Sequence, residues 1–196
     1  IREYVINKIK NTYINFGYNI IETPIVEHIE NLSSNQGGEN EKLIFKILKR
    51  GEKLKEAEDI DLTDSGLRYD LTLPLSRFYA NNANNLSYPF KSMQIGPVFR
   101  AERPQKGRYR QFTQCDIDIL GVNSIMAEID LITATSTLLN QFPINYTIRI
   151  NDRRILSSMA LYAGFKEEDI DKVLISLDKL DKIGETGVKI ELLAKG

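Results

Sequence analysis

The chain has 196 residues, with 26 Lys or Arg against 27 Asp or Glu and 42% hydrophobic residues, a balance too apolar and too weakly charged for a disordered chain. No apolar run approaches the roughly 20 residues of a membrane-spanning helix, and a single Cys with a single His excludes an internal disulfide and a standard zinc site. No signal peptide is visible, so the expected compartment is a reducing cytoplasm, and a start at Ile1 inside a predicted helix reads as a fragment.

In chain order, Ile1, Val5, Ile9 and Tyr13 fall near helical spacing across residues 1–16, and Gly17 follows as a stop. Residues 18–23 are β-favouring and end at Pro24. A strand is predicted over Leu43–Leu48, then a turn at 49–52, a charged loop over 53–65 and a short strand from Leu67 to Asp70. Thr72 is placed to cap a helix running to about Asn82, with Pro74 tolerated in its first turn. Asp70 by itself reads as a cap or turn residue. An Asn-rich loop at 81–85 leads to two predicted strands, 91–101 and 112–120. A helix over 124–140, an alternating strand over 144–150 and a helix capped by Asn151 or Asp152 and ending near Gly164 follow. After residue 166 the composition turns to Lys, Asp, Glu and Leu, the pattern of a solvated helical face. The fold class is α+β, an antiparallel sheet flanked by helices, without the regular alternation of a doubly wound sheet. The expected division is 1–165 for the main unit and 166–196 for a helical segment, the possible start of an inserted domain.

The paired strands carry the chemical information. In 91–102, alternation puts Met93, Ile95, Pro97 and Phe99 on one face and Gln94, Val98, Arg100 and Glu102 on the other. In 112–120, Cys115, Ile117 and Ile119 form an apolar face, with Cys115 expected as a core thiol, and Phe112, Gln114, Asp116 and Asp118 form the opposite face. A plain water-facing surface explains such a polar face on the strands alone. The connecting loop argues otherwise, because residues 91–111 hold six Lys or Arg against one Glu in a chain of near-zero net charge. Concentrated positive charge beside a carboxylate platform suits a polyphosphate next to an amine.

Other chemistry is limited by what the chain lacks. Its one imidazole, His28, has no G-x-S-x-G elbow to serve and is expected to be structural or exposed. Neither a G-x-x-x-x-G-K-[ST] loop nor a G-x-G-x-x-G turn is present. An enzyme built from these residues works by electrostatics and positioning.

The segment FRAERPQKGRYRQFTQ, residues 99–114, closely resembles motif 2 of the class II aminoacyl-tRNA synthetases in its histidyl-tRNA synthetase form. Three further segments agree in order and spacing. Glu22-Thr23-Pro24-Ile25-Val26-Glu27 is similar to the end of motif 1. Leu67-Arg68-Tyr69-Asp70-Leu71-Thr72 resembles the histidine-binding segment. Asn151-Asp152-Arg153-Arg154-Ile155-Leu156 resembles the stretch after the core helix in the eukaryote-like branch. The likeness covers nearly the whole chain and is weakest at 28–66.

The resemblance implies part of a class II catalytic core that joins histidine to ATP, as histidyl-adenylate, and passes the acyl group to tRNA(His). It implies Arg100 as the catalytic guanidinium on the α-phosphate and the substrate carboxylate. Glu102 and Phe112 are implied at adenine, and Arg108 at the outer phosphates or the tRNA end. Asp70, Thr72 and Gln114 are implied at the histidine ammonium, and Asp118 at an imidazole N–H. It further implies ATP accompanied by Mg2+ with no resident metal, and a homodimer built through motif 1. The family's motif 3, second glycine-rich histidine-binding segment, second catalytic arginine segment and anticodon-binding domain are not found in these residues, so the chain alone is expected to be inactive or nearly so. Two other readings compete. One is a non-catalytic regulatory subunit of ATP phosphoribosyltransferase, which need not keep Arg100, Glu102, Gln114 and Asp118 together. The other is a plain RNA-binding module, which the carboxylates disfavour because they repel phosphates.

Overall fold

The computed structural model describes residues 1–33, 42–57, 62–103 and 105–195. Its elements in chain order are α1 (Arg2–Asn15), β1 (Asn19–Ile20), β2 (Val26–His28), α2 (Ile29–Leu32), β3 (Phe45–Leu48), α3 (Glu52–Lys55), β4 (Thr63–Leu67), α4 (Thr72–Asn82), β5 (Phe90–Phe99), β6 (Gln111–Leu120), α5 (Ile125–Leu139), α6 (Arg153–Tyr162), α7 (Ile170–Leu177) and α8 (Leu180–Lys195). The fold class is α+β, as the sequence indicates. Strands form two sheets, β1-β5-β6 and β2-β4-β3. The first is mixed, because β1 runs parallel to β5 while β5 and β6 pair antiparallel over ten residues each. The second is antiparallel throughout.

Two compact units divide the chain, Ile1–Ile144 and Asn145–Gly196. In the first, α1 and α5 bury Ile9, Tyr13, Ala134 and Leu138 against Met93 of β5, with Ile95, Ile117 and Ile119 packed alongside. Alternation along the strands supplies that apolar face. Ser124 starts α5, its Oγ accepting the Met126 N–H, which satisfies one of the donors left free at a helix start. In the second unit, Ala160 of α6 packs with Ile170, Val173 and Leu174 of α7. That cluster gathers α6 with the C-terminal helices, and the compact unit they form begins at Asn145.

Several expectations are corrected. The strand expected from Leu67 to Asp70 lies earlier, at Thr63–Leu67, because there it is the central strand between β2 and β3. The loop expected over 53–65 therefore contains most of α3 and the start of β4, while its residues 58–61 lie outside the described ones. Residues 144–150 form no strand: the alternation is present, but among the described residues no strand pairs with them, and Ile144, Ile148 and Ile150 stand exposed. Cys115 is exposed rather than a core thiol, since the cluster under α1 and α5 takes in Ile117 and Ile119 and stops short of it. His28 is exposed at the end of β2.

The largest correction concerns the second face of β5. Gln94 is 2% exposed and Val98 0%, so this half of the expected wet platform is buried. The chain segment around 68–71 crosses it. Gln94 Nε2 donates to the Leu71 carbonyl at 2.9 Å, and the Thr23 hydroxyl donates to Gln94 Oε1 at 3.0 Å. Arg68, 3% exposed, donates from Nη1 to the Thr23 carbonyl at 2.6 Å and from Nε to the Pro97 carbonyl at 3.0 Å. A buried guanidinium with several carbonyl and hydroxyl acceptors thus ties the loop before β2 to β5. The open polar surface is the β6 half of the sheet.

Candidate active site

Alternation along β6 puts Phe112, Gln114, Asp116 and Asp118 on the face turned away from the α1–α5 core, as the sequence reading expected. Arg100 follows β5 directly. Its backbone N–H donates to the Arg110 carbonyl at 2.8 Å, carrying the pairing one residue past the strand. Its side chain donates from Nε to the Tyr69 carbonyl at 3.1 Å and lies 5.0 Å from the centre of the Phe112 ring. Ring and guanidinium hold each other in place through the ring quadrupole.

The loop between the strands returns through a tight turn. Gln105 and Arg108 exchange backbone hydrogen bonds, and Gly107 takes φ +80°, a conformation glycine enters without a steric cost. The turn brings Arg108 back beside Glu102, with Nη1 3.6 Å from Oε2. The loop base is anchored to the second sheet: Ala101 N–H donates to the Leu43 carbonyl at 2.8 Å, and the Arg110 guanidinium lies over the Phe45 ring. Arg100, Glu102, Gly107, Arg108, Tyr109 and Phe112 together line a cavity of about 330 Å³. A larger groove of about 740 Å³ runs along α6, but Arg154 is its only charged lining residue and it offers no carboxylate. The smaller cavity, unlike that groove, combines paired opposite charges with an aromatic face.

Beside it lies a carboxylate cluster. Asp70 precedes α4, where its Oδ1 accepts the Leu73 N–H at 3.2 Å, so the cap expected of Thr72 is made by Asp70. Thr72 itself stands exposed as the first residue of α4. Burial raises the pKa of Asp70, while the Leu73 N–H, Arg100 and Arg77 oppose the rise. Burial also raises Asp116, helped by the charges of Asp118 and Asp70 and opposed by Arg100. Asp118 is raised by burial and then by Asp70. Gln114 Oε1 and Asp118 Oδ2 are buried with no hydrogen-bond partner among the described residues. Acceptors left in this state ask for a donor from outside the chain.

The structure therefore brings Arg100, Glu102, Arg108 and Phe112 into one cavity, and gathers Asp70, Gln114 and Asp118 around the same guanidinium or on the same strand face. Asp116 lay on that face in the sequence without a role. Arg68 and Gln94, which brace the floor, carried no sequence signal, since their partners lie 23 to 71 residues away. Among the described residues no group of three His, Cys, Asp or Glu side chains is arranged to hold a metal ion.

The raised carboxylates set the sign of a pH effect. A folded chain whose acids have raised pKa values binds more protons than the unfolded chain just above the ordinary value of 3.8. Their contribution to stability is then fully present below about 3.8 and is lost as pH rises through the folded values. Asp116→Asn is accordingly expected to raise the urea midpoint at pH 7 and to change it little at pH 3.5. An equal shift at both pH values would contradict this.

Comparison with known proteins gives concordant results. The sequence model of the family described as histidyl-tRNA synthetase matches residues 1–186. A curated histidine–tRNA ligase from Leifsonia xyli subsp. xyli is 49% identical over 97% of this chain and 46% of its own length. The ligase from Azobacteroides pseudotrichonymphae is 41% identical over the whole chain and 45% of its own length. The crystal structure of histidyl-tRNA synthetase from Nostoc sp. PCC 7120 superposes with a TM-score of 0.78 at 31% identity, covering 98% of this chain and 41% of that one. A Bacillus halodurans C structure, titled an ATP phosphoribosyltransferase regulatory subunit/histidyl-tRNA synthetase, shares the fold with a TM-score of 0.68 at 18% identity. The chain spans about half the length of the curated relatives it matches.

Proposed function

This chain belongs to the histidyl-tRNA synthetase family, and from that premise we propose that it supplies the motif 1 and motif 2 part of a class II core that ligates histidine to tRNA(His) through histidyl-adenylate. The observation that carries the reading is the single cavity in which Arg100, Glu102, Arg108 and Phe112 meet, with a carboxylate cluster at its side. In the first step an oxygen of the histidine carboxylate attacks the α-phosphorus of ATP, and the bond to the pyrophosphate leaving group breaks. In the second, a ribose hydroxyl at the tRNA 3′ end takes the acyl group and AMP leaves.

The reacting groups of the first step are both anions, so neutralising and aligning them lowers the barrier most, and no side-chain nucleophile is needed. Arg100 is the group for this, because a planar guanidinium binds carboxylate and phosphate with parallel N–H bonds. Its contacts to the Tyr69 carbonyl and the Phe112 ring preorganise it. Phe112 offers the adenine a stacking face, Glu102 accepts from its amino group, and Arg108 reaches the outer phosphates or the tRNA end. Mg2+ would arrive with ATP and neutralise phosphate charge, and among the described residues lining the cavity Glu102 is the carboxylate that could help to hold it.

On the other side of Arg100, Asp70, Thr72 and Gln114 take the histidine ammonium and Asp118 takes an imidazole N–H. The buried, unpartnered Asp118 Oδ2 and Gln114 Oε1 support that assignment. An apolar amino acid would leave these acceptors unpaired, which is a strong basis for rejection. Asp118→Asn keeps the size and removes the charge. Histidine affinity is expected to fall about ten- to a hundredfold, matching the roughly 1.5–3 kcal/mol of a charge-assisted hydrogen bond, with ATP affinity nearly unchanged. Titration calorimetry with each ligand checks this, and equal loss for both would assign Asp118 a folding role instead.

The reading further has the protein act in the cytoplasm as a homodimer. No helix among the described residues is long and apolar enough to cross a membrane. Tyr4 and Ile14 of α1, with Ile20, Ile25 and Val26 beyond it, stand exposed along the motif 1 region and suit a two-fold interface. A monomeric mass in sedimentation at high concentration would contradict the dimer.

A further inference from the structure

We propose that Asp116 makes the amino-acid pocket select histidine in its imidazolium form, an inference that rests on the reading that this pocket binds histidine. Asp116 sits between Gln114 and Asp118 on one face of β6, and its register partner across the ladder is Gln94. Gln94 turns one amide N–H to the Leu71 carbonyl and accepts from Thr23 at its oxygen, and among the described residues no hydrogen bond joins it to Asp116. The charged groups that act on Asp116 are Asp118 on its own strand, Asp70 ahead of α4 and Arg100 after β5. Asp70 and Asp116 thus share the Arg100 guanidinium, which is already turned to the Tyr69 carbonyl and the Phe112 ring, and no cation acts on Asp118 among the described residues.

A second observation gives the ligand its chemistry. Ser92 is 0% exposed, pairs with Asp118 in the register, and its hydroxyl has no partner among the described residues. Asp118 Oδ2 and Gln114 Oε1 are unpartnered on the same face. Two of these three orphans are pure acceptors, and Asp116 adds further acceptor oxygens. A neutral imidazole would bring one N–H and one lone pair, so it could answer only one of the two carboxylates, Asp118 and Asp116. An imidazolium brings two N–H donors and a positive charge. Asp118 and Asp116 are together the counter-charge for that ring, leaving Asp70 and Gln114 for the ammonium. Burial raises all three aspartates in the free chain, and neighbouring carboxylates raise Asp116 and Asp118 further.

The test is the 15N spectrum of ring-labelled histidine bound to the intact protein at pH 8. Free histidine is then mostly neutral, its ring pKa being about 6.5. Both ring nitrogens are expected to show the protonated shift in the complex, which corresponds to at least about 30-fold preference for the cation. Asp116→Asn is expected to bind a neutral ring, and Asp116→Glu to restore the protonated spectrum. A neutral ring in the unaltered protein, or an unchanged protonated ring in Asp116→Asn, would overturn the proposal. Failure of the unaltered protein to bind histidine at all would instead overturn the reading of the pocket. The protonation state in the unaltered protein decides the matter even where a variant fails to fold.

Discussion

Arg100→Ala is expected to lower the rate of histidyl-adenylate formation by about 10² to 10³, the cost of removing one preorganised donor from a developing phosphoryl charge. The effect on folding is expected to be much smaller but not zero. Arg100 is half-buried, its Nε donates to the Tyr69 carbonyl and it lies over Phe112, so the variant loses one hydrogen bond and one cation–π contact. Together these are worth about 1–2 kcal/mol. Arg100→Lys keeps the charge and loses the fork, and should recover folding better than rate. The checks are pyrophosphate exchange for the rate and thermal unfolding for the fold. A rate loss that tracks the unfolded fraction alone would remove Arg100 from the chemistry.

Gly96→Ala is expected to damage the fold far more than its one added methyl suggests. A Cβ at position 96 would fall well inside contact distance of Arg68 Nη2, and Arg68 has no room to yield. Its guanidinium is 3% exposed and is held by the Thr23 carbonyl, the Thr23 hydroxyl and the Pro97 carbonyl. Displacing it leaves a buried charge and several carbonyls without partners, a loss of about 3–5 kcal/mol. For a chain of this length that lowers the melting temperature by about 6–20 °C. Gly96 is the register partner of Gln114, so histidine binding should weaken along with the fold. A melting temperature within two or three degrees of the original, a span of about 1 kcal/mol, would show that Arg68 is not the brace described.

How much of this was legible in the sequence depends on the range of the interaction that decides each feature. The β5–β6 pair is joined by one loop and alternates cleanly, and its antiparallel pairing and the β6 polar face follow the sequence reading. The helices α1, α4, α5 and α6 likewise announce themselves by local spacing, and Asp152 caps α6 as expected. The reading failed where a distant segment decides. Alternation alone left Gln94 facing water, and only Thr23 and Leu71 show why it is buried. Residues 144–150 have the pattern of a strand, but a ladder needs a second strand, and none of the described ones pairs there. Leu67–Asp70 looked like the strand because its residues favour β structure, whereas β2 and β3 fix the pairing on Thr63–Leu67.

The candidate site was legible for a different reason. Motif 2 places Arg100, Glu102, Arg108 and Phe112 within thirteen consecutive residues of one hairpin, so spacing nearly determines their assembly. Asp70 is 30 residues before Arg100, and resemblance rather than spacing pointed to it. Asp116 was visible as a face residue and carried no role until its neighbours were seen. Gln94 bonds to backbone and Thr23, and Arg100 is shared between Asp70 and Asp116.

The central claim is that Arg100 and the carboxylate cluster serve one reaction between histidine and ATP. Amino-acid-dependent exchange of labelled pyrophosphate into ATP by the intact protein tests it most directly. The account predicts exchange that requires histidine, is not supported by apolar amino acids, and falls by about 10² or more in Arg100→Ala. A protein that binds ATP and histidine yet exchanges no pyrophosphate, or that exchanges equally with other amino acids, would contradict it.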